Sequence, residues 1–146
     1  HIKPDFDKKY CLQPPKEMMK TKIGVCWDQV ELERFYLSPN EWKTKSFYII
    51  AYGKERCYTH TFLTFEKNER FYWFEHAWEK FEGIFEYKSL DSLLKDIKEK
   101  FLRFEVPKDF DVLDFKIFEY EKPKFHISAN EFMKHCEKGK EIILEN

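Results

Sequence analysis

The chain has 146 residues, with 26 Lys and Arg against 27 Asp and Glu, so its formal net charge is -1. This length predicts one domain, residues 1–146, with a sizeable core. The balanced charge argues against a nucleic-acid partner, since such proteins carry a basic surplus or stripe. No apolar run approaches the roughly 20 residues needed to span a bilayer, so we expect no membrane partner.

The four cysteines are spread along the chain without a CxxC pair: Cys11, Cys26, Cys57 and Cys136. This pattern favours reduced thiols over a disulfide framework, and it predicts a cytoplasmic location.

The first elements are predicted to be an arm and a short helix. Residues 1–13 are charged and without a clear period, so we interpret them as an N-terminal arm or loop. Proline suits the first helical position, and Pro14 and Pro15 therefore predict a helix that ends by Gly24. A second helix is predicted over 27–37, with an apolar side and a polar side. The apolar side contains Trp27, Val30, Phe35, Tyr36 and Leu37, and the polar side Asp28, Glu31 and Arg34.

Cys26 lies where a turn entered through Gly24 becomes the second helix. A thiol in a first helical turn faces unpaired backbone N–H groups and the positive end of the helix dipole, which favour the thiolate. Cys26 is therefore a candidate nucleophile. The alternative is a buried structural cysteine, since free cysteine is often buried.

A strand is predicted over 47–52, and a hairpin over 58–66 and 70–78, because these runs are rich in Phe, Tyr, Trp and Thr. If Lys67 and Asn68 form the turn, His60 faces Glu75 directly. A four-residue turn would leave the two residues diagonal but on the same face, because side chains alternate with period two. Either register brings a histidine and a carboxylate together.

The remainder is predicted as a strand over 83–88 and a helix that begins after Ser89 and ends at Pro107. A C-terminal extension, 107–146, adds an edge-like strand over 112–120 and a helix from a capping box at Ser128 to Gly139. The predicted class is α+β, with a cysteine-bearing helix packed on an antiparallel sheet.

Cys26, His60 and Glu75 together supply the three groups that cysteine catalysis requires. Such catalysis needs a thiolate, a general base that also protonates the leaving group, and an acceptor that orients the imidazole. The chemistry requires no metal and no cofactor.

The chain resembles the transglutaminase-like superfamily of papain-type cysteine enzymes over about 12–87. The resemblance rests on Gly24-Val25-Cys26-Trp27-Asp28 and Trp73-Phe74-Glu75-His76-Ala77-Trp78. In that family an acidic residue follows the histidine by fifteen positions, as Glu75 follows His60, and a tryptophan stands three residues later, as Trp78 does. The usual acid is aspartate.

The resemblance implies acyl transfer on a protein or peptide amide, as in a peptidase, amidase or transglutaminase. Cys26 would attack, His60 would act as base and then acid, and Glu75 would orient His60. Backbone N–H groups at the helix start would stabilise the oxyanion. Candidate cleft residues are Trp27, Asp28, Gln29, His76 and Trp78.

Three alternatives remain open at this point. His76 and Asp91 form a second possible set of partners for Cys26, also fifteen positions apart. Members of the superfamily can be noncatalytic protein-binding modules. Cys57-x-x-His60 has the spacing of zinc ligands, and Cys26 and His76 could complete such a site.

Overall fold

A computed structural model of the chain describes residues 10–22, 24–75 and 78–145. In this part, the helices are α1 (Pro15–Thr21), α2 (Cys26–Leu37), α3 (Leu90–Lys100) and α4 (Ala129–Glu137). The strands are β1 (Lys43–Tyr52), β2 (Cys57–Lys67), β3 (Arg70–Glu75), β4 (Gly83–Tyr87), β5 (Asp114–Tyr120) and β6 (Lys140–Glu141). The predicted α+β class and the antiparallel sheet are confirmed.

The sheet has six strands in the order β4-β3-β2-β1-β5-β6, and the paired neighbours are antiparallel. The prediction that β5 is an edge-like strand is wrong, because β5 pairs with β1 on one side and with β6 on the other. Its neighbouring residues Ile117 and Phe118 are both buried, one in each core. Burial on both faces explains the loose alternation of this segment.

The sheet separates two hydrophobic cores. One face packs against α3, whose Leu93, Leu94 and Ile97 are buried. The other face packs against α2 and α4 through Trp27, Val30 and Phe132. The fold is therefore a helix–sheet–helix sandwich.

The predicted ends of α3 follow its local sequence. Ser89 Oγ accepts a hydrogen bond from the Ser92 N–H at 3.1 Å, as an N-cap does. Beyond Lys100 the helix continues as a π-helical turn, Phe101–Glu105, and it ends before Pro107.

The predicted orientation of α2 is wrong in part. Phe35 and Tyr36, assigned to the apolar side, are 47% and 54% exposed, whereas Asp28 and Glu31 are buried. Burial of Glu31 is compensated by Arg34, whose Nε lies 3.0 Å from Glu31 Oε1. A buried, paired carboxylate inverts the usual rule that charged residues face solvent.

The turn between β2 and β3 lies one residue later than the predicted turn at Lys67 and Asn68, which would have placed His60 directly opposite Glu75. Asn68 and Glu69 form it, with φ of 52° and 62°, as in a type I′ turn. Lys67 consequently pairs with Arg70, and Leu63 with Phe74. The register is that of the diagonal alternative, in which His60 and Glu75 share a face without standing directly opposite each other, but a two-residue turn produces it and not the predicted four-residue turn.

The described end of the predicted arm packs against the start of α4. Leu12 is fully buried, and its N–H donates to the Ile127 carbonyl at 2.9 Å. Cys11 forms an isolated antiparallel bridge with Ser128. Among the described residues, no helix has the length and apolar character required to cross a membrane.

Candidate functional site: a cysteine, a histidine and a glutamate

Cys26 is the first residue of α2, and the preceding Val25 is extended, with φ −121°. The first hydrogen bond of the helix runs from the Gln29 N–H to the Val25 carbonyl at 3.1 Å. The N–H groups of Cys26 and its next two neighbours precede this bond and do not take part in the helical ladder. The sulfur therefore lies at the end of α2 where the dipole is positive.

Packing of α2 on β2 brings the sulfur to the edge of that strand. The described pairing of β3 with β2 extends from Lys67 only as far as Leu63. Past that point, the Cys26 sulfur lies beside the His60 side chain and the main chain of Thr61, and both lower the pKa of its thiol. The start of α2 thus lies beside β2 near His60 and Thr61, whereas β3 lies beside β2 from Leu63 to Lys67.

His60 and Glu75 form a buried pair. His60 Nε2 lies 2.9 Å from Glu75 Oε2, and each residue is only 3% exposed. Since Nε2 faces Glu75, the second ring nitrogen, Nδ1, is the atom available to Cys26. The imidazole consequently connects the sulfur on one side with the carboxylate on the other.

Glu75 is held by two tryptophans in addition to His60. Trp73 Nε1 donates to Glu75 Oε2 at 3.1 Å, and the main-chain N–H of Trp78 donates to Oε1 at 3.0 Å. Both carboxylate oxygens therefore accept hydrogen bonds, which makes burial of the charge tolerable.

The Trp78 indole covers the imidazole. Its ring is stacked on His60 with centroids 4.1 Å apart and 13° between the planes, and the residue is 7% exposed. Trp78 was a cleft candidate from the sequence, and the structure places it over one face of the histidine.

Cys26 and His60 both have shifted pKa values. Burial alone would raise the pKa of the Cys26 thiol, but the hydrogen bond from His60 and its positive charge prevail, so the pKa lies below its usual value. For His60, burial favours the neutral ring, whereas the charge of Glu75 and the hydrogen bonds to Cys26 and Glu75 raise the pKa to about 10. Both directions favour a thiolate–imidazolium pair.

Asp28 supports the turn that carries Cys26. Its carboxylate accepts hydrogen bonds from the main-chain N–H of Val25 at 2.9 Å, the main-chain N–H of Gln13 at 3.0 Å and the Tyr10 hydroxyl. Asp28 is 0% exposed, so it braces the helix entry from within and is not at the surface of a cleft.

The other cleft candidates are placed as follows. Trp27 packs in the core, with its ring 4.6 Å from that of Phe132 and 5.7 Å from that of Tyr10. Gln29, the fourth residue of α2, is buried. His76 lies outside the described residues.

The competing and metal hypotheses find less support in the described part of the chain. Asp91 is in the first turn of α3, where it pairs with Lys95 at 2.8 Å on the surface. Cys57 is exposed at the start of β2, whereas His60 is buried against Glu75. Among the described residues, no three His, Cys, Asp or Glu side chains are grouped as metal ligands.

Sequence reasoning missed three residues that shape this site: Tyr10, Trp73 and Thr61. Trp73 had a detectable signal, because it precedes Glu75 by two positions and so shares its face of the strand. Tyr10 had none, since its contact with Asp28 joins distant segments of the chain.

No protein-family model matches this chain, and no curated protein shows significant sequence similarity to it.

Proposed function

We propose that this protein is a cysteine-dependent acyltransferase or hydrolase that acts on amides through Cys26, His60 and Glu75. The observation that carries the proposal is the continuous contact from sulfur to imidazole to buried carboxylate. Each residue comes from a different element, α2, β2 or β3, so the fold is what brings them together.

The first step would be attack of the Cys26 thiolate on the carbonyl carbon of an amide. A carbon–sulfur bond forms and the carbonyl oxygen becomes an oxyanion, which backbone N–H groups at the start of α2 would stabilise. His60, already protonated, then donates its proton to the leaving nitrogen as the carbon–nitrogen bond breaks. The products are an amine and a thioester on Cys26.

The second step would release the acyl group from Cys26. The now neutral His60 removes a proton from the incoming nucleophile, which attacks the thioester and expels the thiolate. Water as the nucleophile gives a hydrolase, and an amine gives a cross-linking enzyme. Glu75 stabilises the imidazolium and fixes its orientation throughout.

A transglutaminase- or papain-like core fits this arrangement. The reacting residues occur in the order of that superfamily, with the cysteine at a helix start and the other two on adjacent antiparallel strands. Glutamate in place of aspartate is the departure. The diagonal register between His60 and Glu75 offers a reason, because a longer side chain spans the greater separation between diagonal positions.

Acylation by an activated ester tests the proposal. We expect p-nitrophenyl acetate to acetylate Cys26 selectively, with intact-mass and peptide spectra locating a thioester that hydroxylamine removes. Cys26→Ser should abolish the adduct and His60→Gln should slow its formation by a factor of about 100 or more. Cys57→Ser is the matched control, because Cys57 is the exposed thiol of the same strand that holds His60.

A peptide with a carboxamide side chain, supplied with a fluorescent primary amine, would then separate the two outcomes. Ammonia release without fluorescence in the peptide indicates hydrolysis, and fluorescent peptide indicates transfer. Acetylation of Cys57 in preference to Cys26 would overturn the proposal and favour a noncatalytic binding module.

A further inference from the structure

Thr61 carries a buried hydroxyl that the fold leaves unsatisfied. The residue is 4% exposed, and within the described part of the chain its Oγ1 makes no hydrogen bond of full geometry. Buried hydroxyls almost always have a partner, so a native exception calls for an explanation. Thr64, on the same strand, shows the ordinary case, since its Oγ1 donates to the Lys45 carbonyl at 3.4 Å.

The position of Thr61 supplies that explanation. It follows His60 in β2, and its main chain hydrogen-bonds to the Cys26 sulfur. Its hydroxyl lies beside the same sulfur. Because successive side chains of a strand point to opposite faces, His60 and the Thr61 hydroxyl approach the sulfur from opposite sides. The sulfur at the strand edge is thus enclosed by an imidazole, a main-chain N–H and a hydroxyl.

We propose that Thr61 is a further catalytic residue of the reaction proposed above, whose hydroxyl donates a hydrogen bond to the Cys26 thiolate. This inference rests on the proposed function. The hydroxyl gains its acceptor when the sulfur loses its proton to His60, because a thiolate accepts hydrogen bonds far better than a thiol does. Thr61 keeps its own proton throughout, and no bond to Thr61 is made or broken.

The consequence is a control on the pH range of the nucleophile. A donor that favours the thiolate extends its population to lower pH. Besides His60, the titratable groups of the described residues that interact with the sulfur charge are Tyr10, Tyr120 and Cys136. Burial raises the pKa of all three, so they are neutral over the physiological range. Asp28, two residues farther along α2, is the nearest acidic residue on the same helix, and burial raises the pKa of its carboxyl group.

Two substitutions separate the hydroxyl from the shape of the side chain. Thr61→Val keeps the branched shape and removes the hydroxyl, whereas Thr61→Ser keeps the hydroxyl. We expect Thr61→Val to move the inflection of Cys26 alkylation by iodoacetamide to higher pH, with a rate at pH 6 reduced about tenfold. Thr61→Ser should restore the wild-type profile. Thr64→Val is the matched control and should leave the profile unchanged.

Thermal unfolding provides a readout that a merely structural role would move in the other direction. At a pH below the alkylation inflection the sulfur is a thiol and the hydroxyl lacks an acceptor, so replacing it with a methyl group should leave the melting temperature there equal or higher. A lower melting temperature together with an unchanged alkylation profile would overturn the inference. If Thr61→Val does not fold, the pH dependence of Cys26 alkylation is compared between Thr61→Ala and Thr61→Ser, and the inflection of Thr61→Ala should lie at higher pH.

The outcomes distinguish this inference from the proposed function. If Cys26 acetylates selectively and His60→Gln slows it, while Thr61→Val matches the wild-type pH profile, Thr61 is not a thiolate donor and the proposed function stands. If Cys26 of the wild-type protein shows neither acetylation nor enhanced alkylation, both proposals fail.

Discussion

Trp78 contacts both partners of the buried ion pair, because its indole is stacked on His60 at 4.1 Å while its main-chain N–H donates to Glu75 at 3.0 Å. The indole excludes water from one face of the imidazole. In such a low-dielectric setting the bond between histidine and carboxylate is stronger than it would be in water. One residue therefore stabilises the pair by two separate means.

Replacement of Trp78 should reveal how much the indole contributes to stability. We expect Trp78→Ala to lower the free energy of unfolding by about 3–5 kcal/mol, since a 7% exposed side chain is removed from the core. The main-chain N–H stays, so the loss is that of the ring. Chemical denaturation measures it, and Phe35→Ala, at a 47% exposed position, should cost less than about 1 kcal/mol. Equal losses in the two variants would contradict the burial of Trp78.

Loss of the Glu75 charge should lower the pKa of His60. The Glu75 carboxylate is the largest influence that raises this pKa, whereas burial of the ring lowers it. In Glu75→Gln the carboxylate charge is gone and the effect of burial remains. The variant ring should therefore lose its proton well below the wild-type value of about 10. NMR titration of the imidazole measures this shift. Glu86→Gln, which removes an exposed partner of Arg70, should leave the His60 titration unchanged.

Much of the site follows from local sequence rules. The proximity of His60 and Glu75 depends only on strand alternation, which holds in either register of the hairpin. The position of Cys26 follows from a helix that starts after Gly24, and the bounds of α3 together with its π-helical turn follow from Ser89, the apolar period and Pro107. These features depend on neighbours in the chain, and for that reason the sequence reveals them.

The remainder depends on contacts between distant segments. Asp28 looked like part of an exposed polar side, yet Gln13, Tyr10 and Val25 supply donors that make its burial possible. The turn of the hairpin includes Glu69, a residue with no intrinsic preference for positive φ. The position of this turn is therefore set by strand pairing along the whole hairpin. No periodicity in the sequence encodes either feature.

Asp28 is expected to be required for the turn that presents Cys26. Asp28→Ala leaves the Val25 and Gln13 N–H groups without the carboxylate they now share, and we expect a loss of about 1–3 kcal/mol in the free energy of unfolding. Alkylation of Cys26 should also slow, because the first turn of α2 loses its brace. Asp91→Ala is the control, since Asp91 is exposed in the first turn of α3, and its loss should change stability by less than about 1 kcal/mol. Normal stability of Asp28→Ala would remove Asp28 from the account of the site.

The pH dependence of alkylation should set Cys26 apart from Cys57. The pKa of Cys26 is lowered, so its thiolate survives as pH falls below the usual thiol range. Partial desolvation of the Cys57 thiol and the negative charge of Glu137 raise the pKa of Cys57, so its thiolate appears only above that range. Each unit of lowered pKa gives about tenfold more thiolate at acid pH, although reduced nucleophilicity cancels about half of that gain on a logarithmic scale. We therefore expect iodoacetamide to label Cys26 at least about tenfold faster than Cys57 at pH 6, as peptide mass spectrometry can quantify. In His60→Gln the two largest influences that lower the Cys26 pKa are lost, and only the contacts with Thr61 still oppose burial, so Cys26 should lose its advantage over Cys57. A wild-type profile in which both thiols rise together above pH 8 would show that the sulfur and the imidazole do not share a proton.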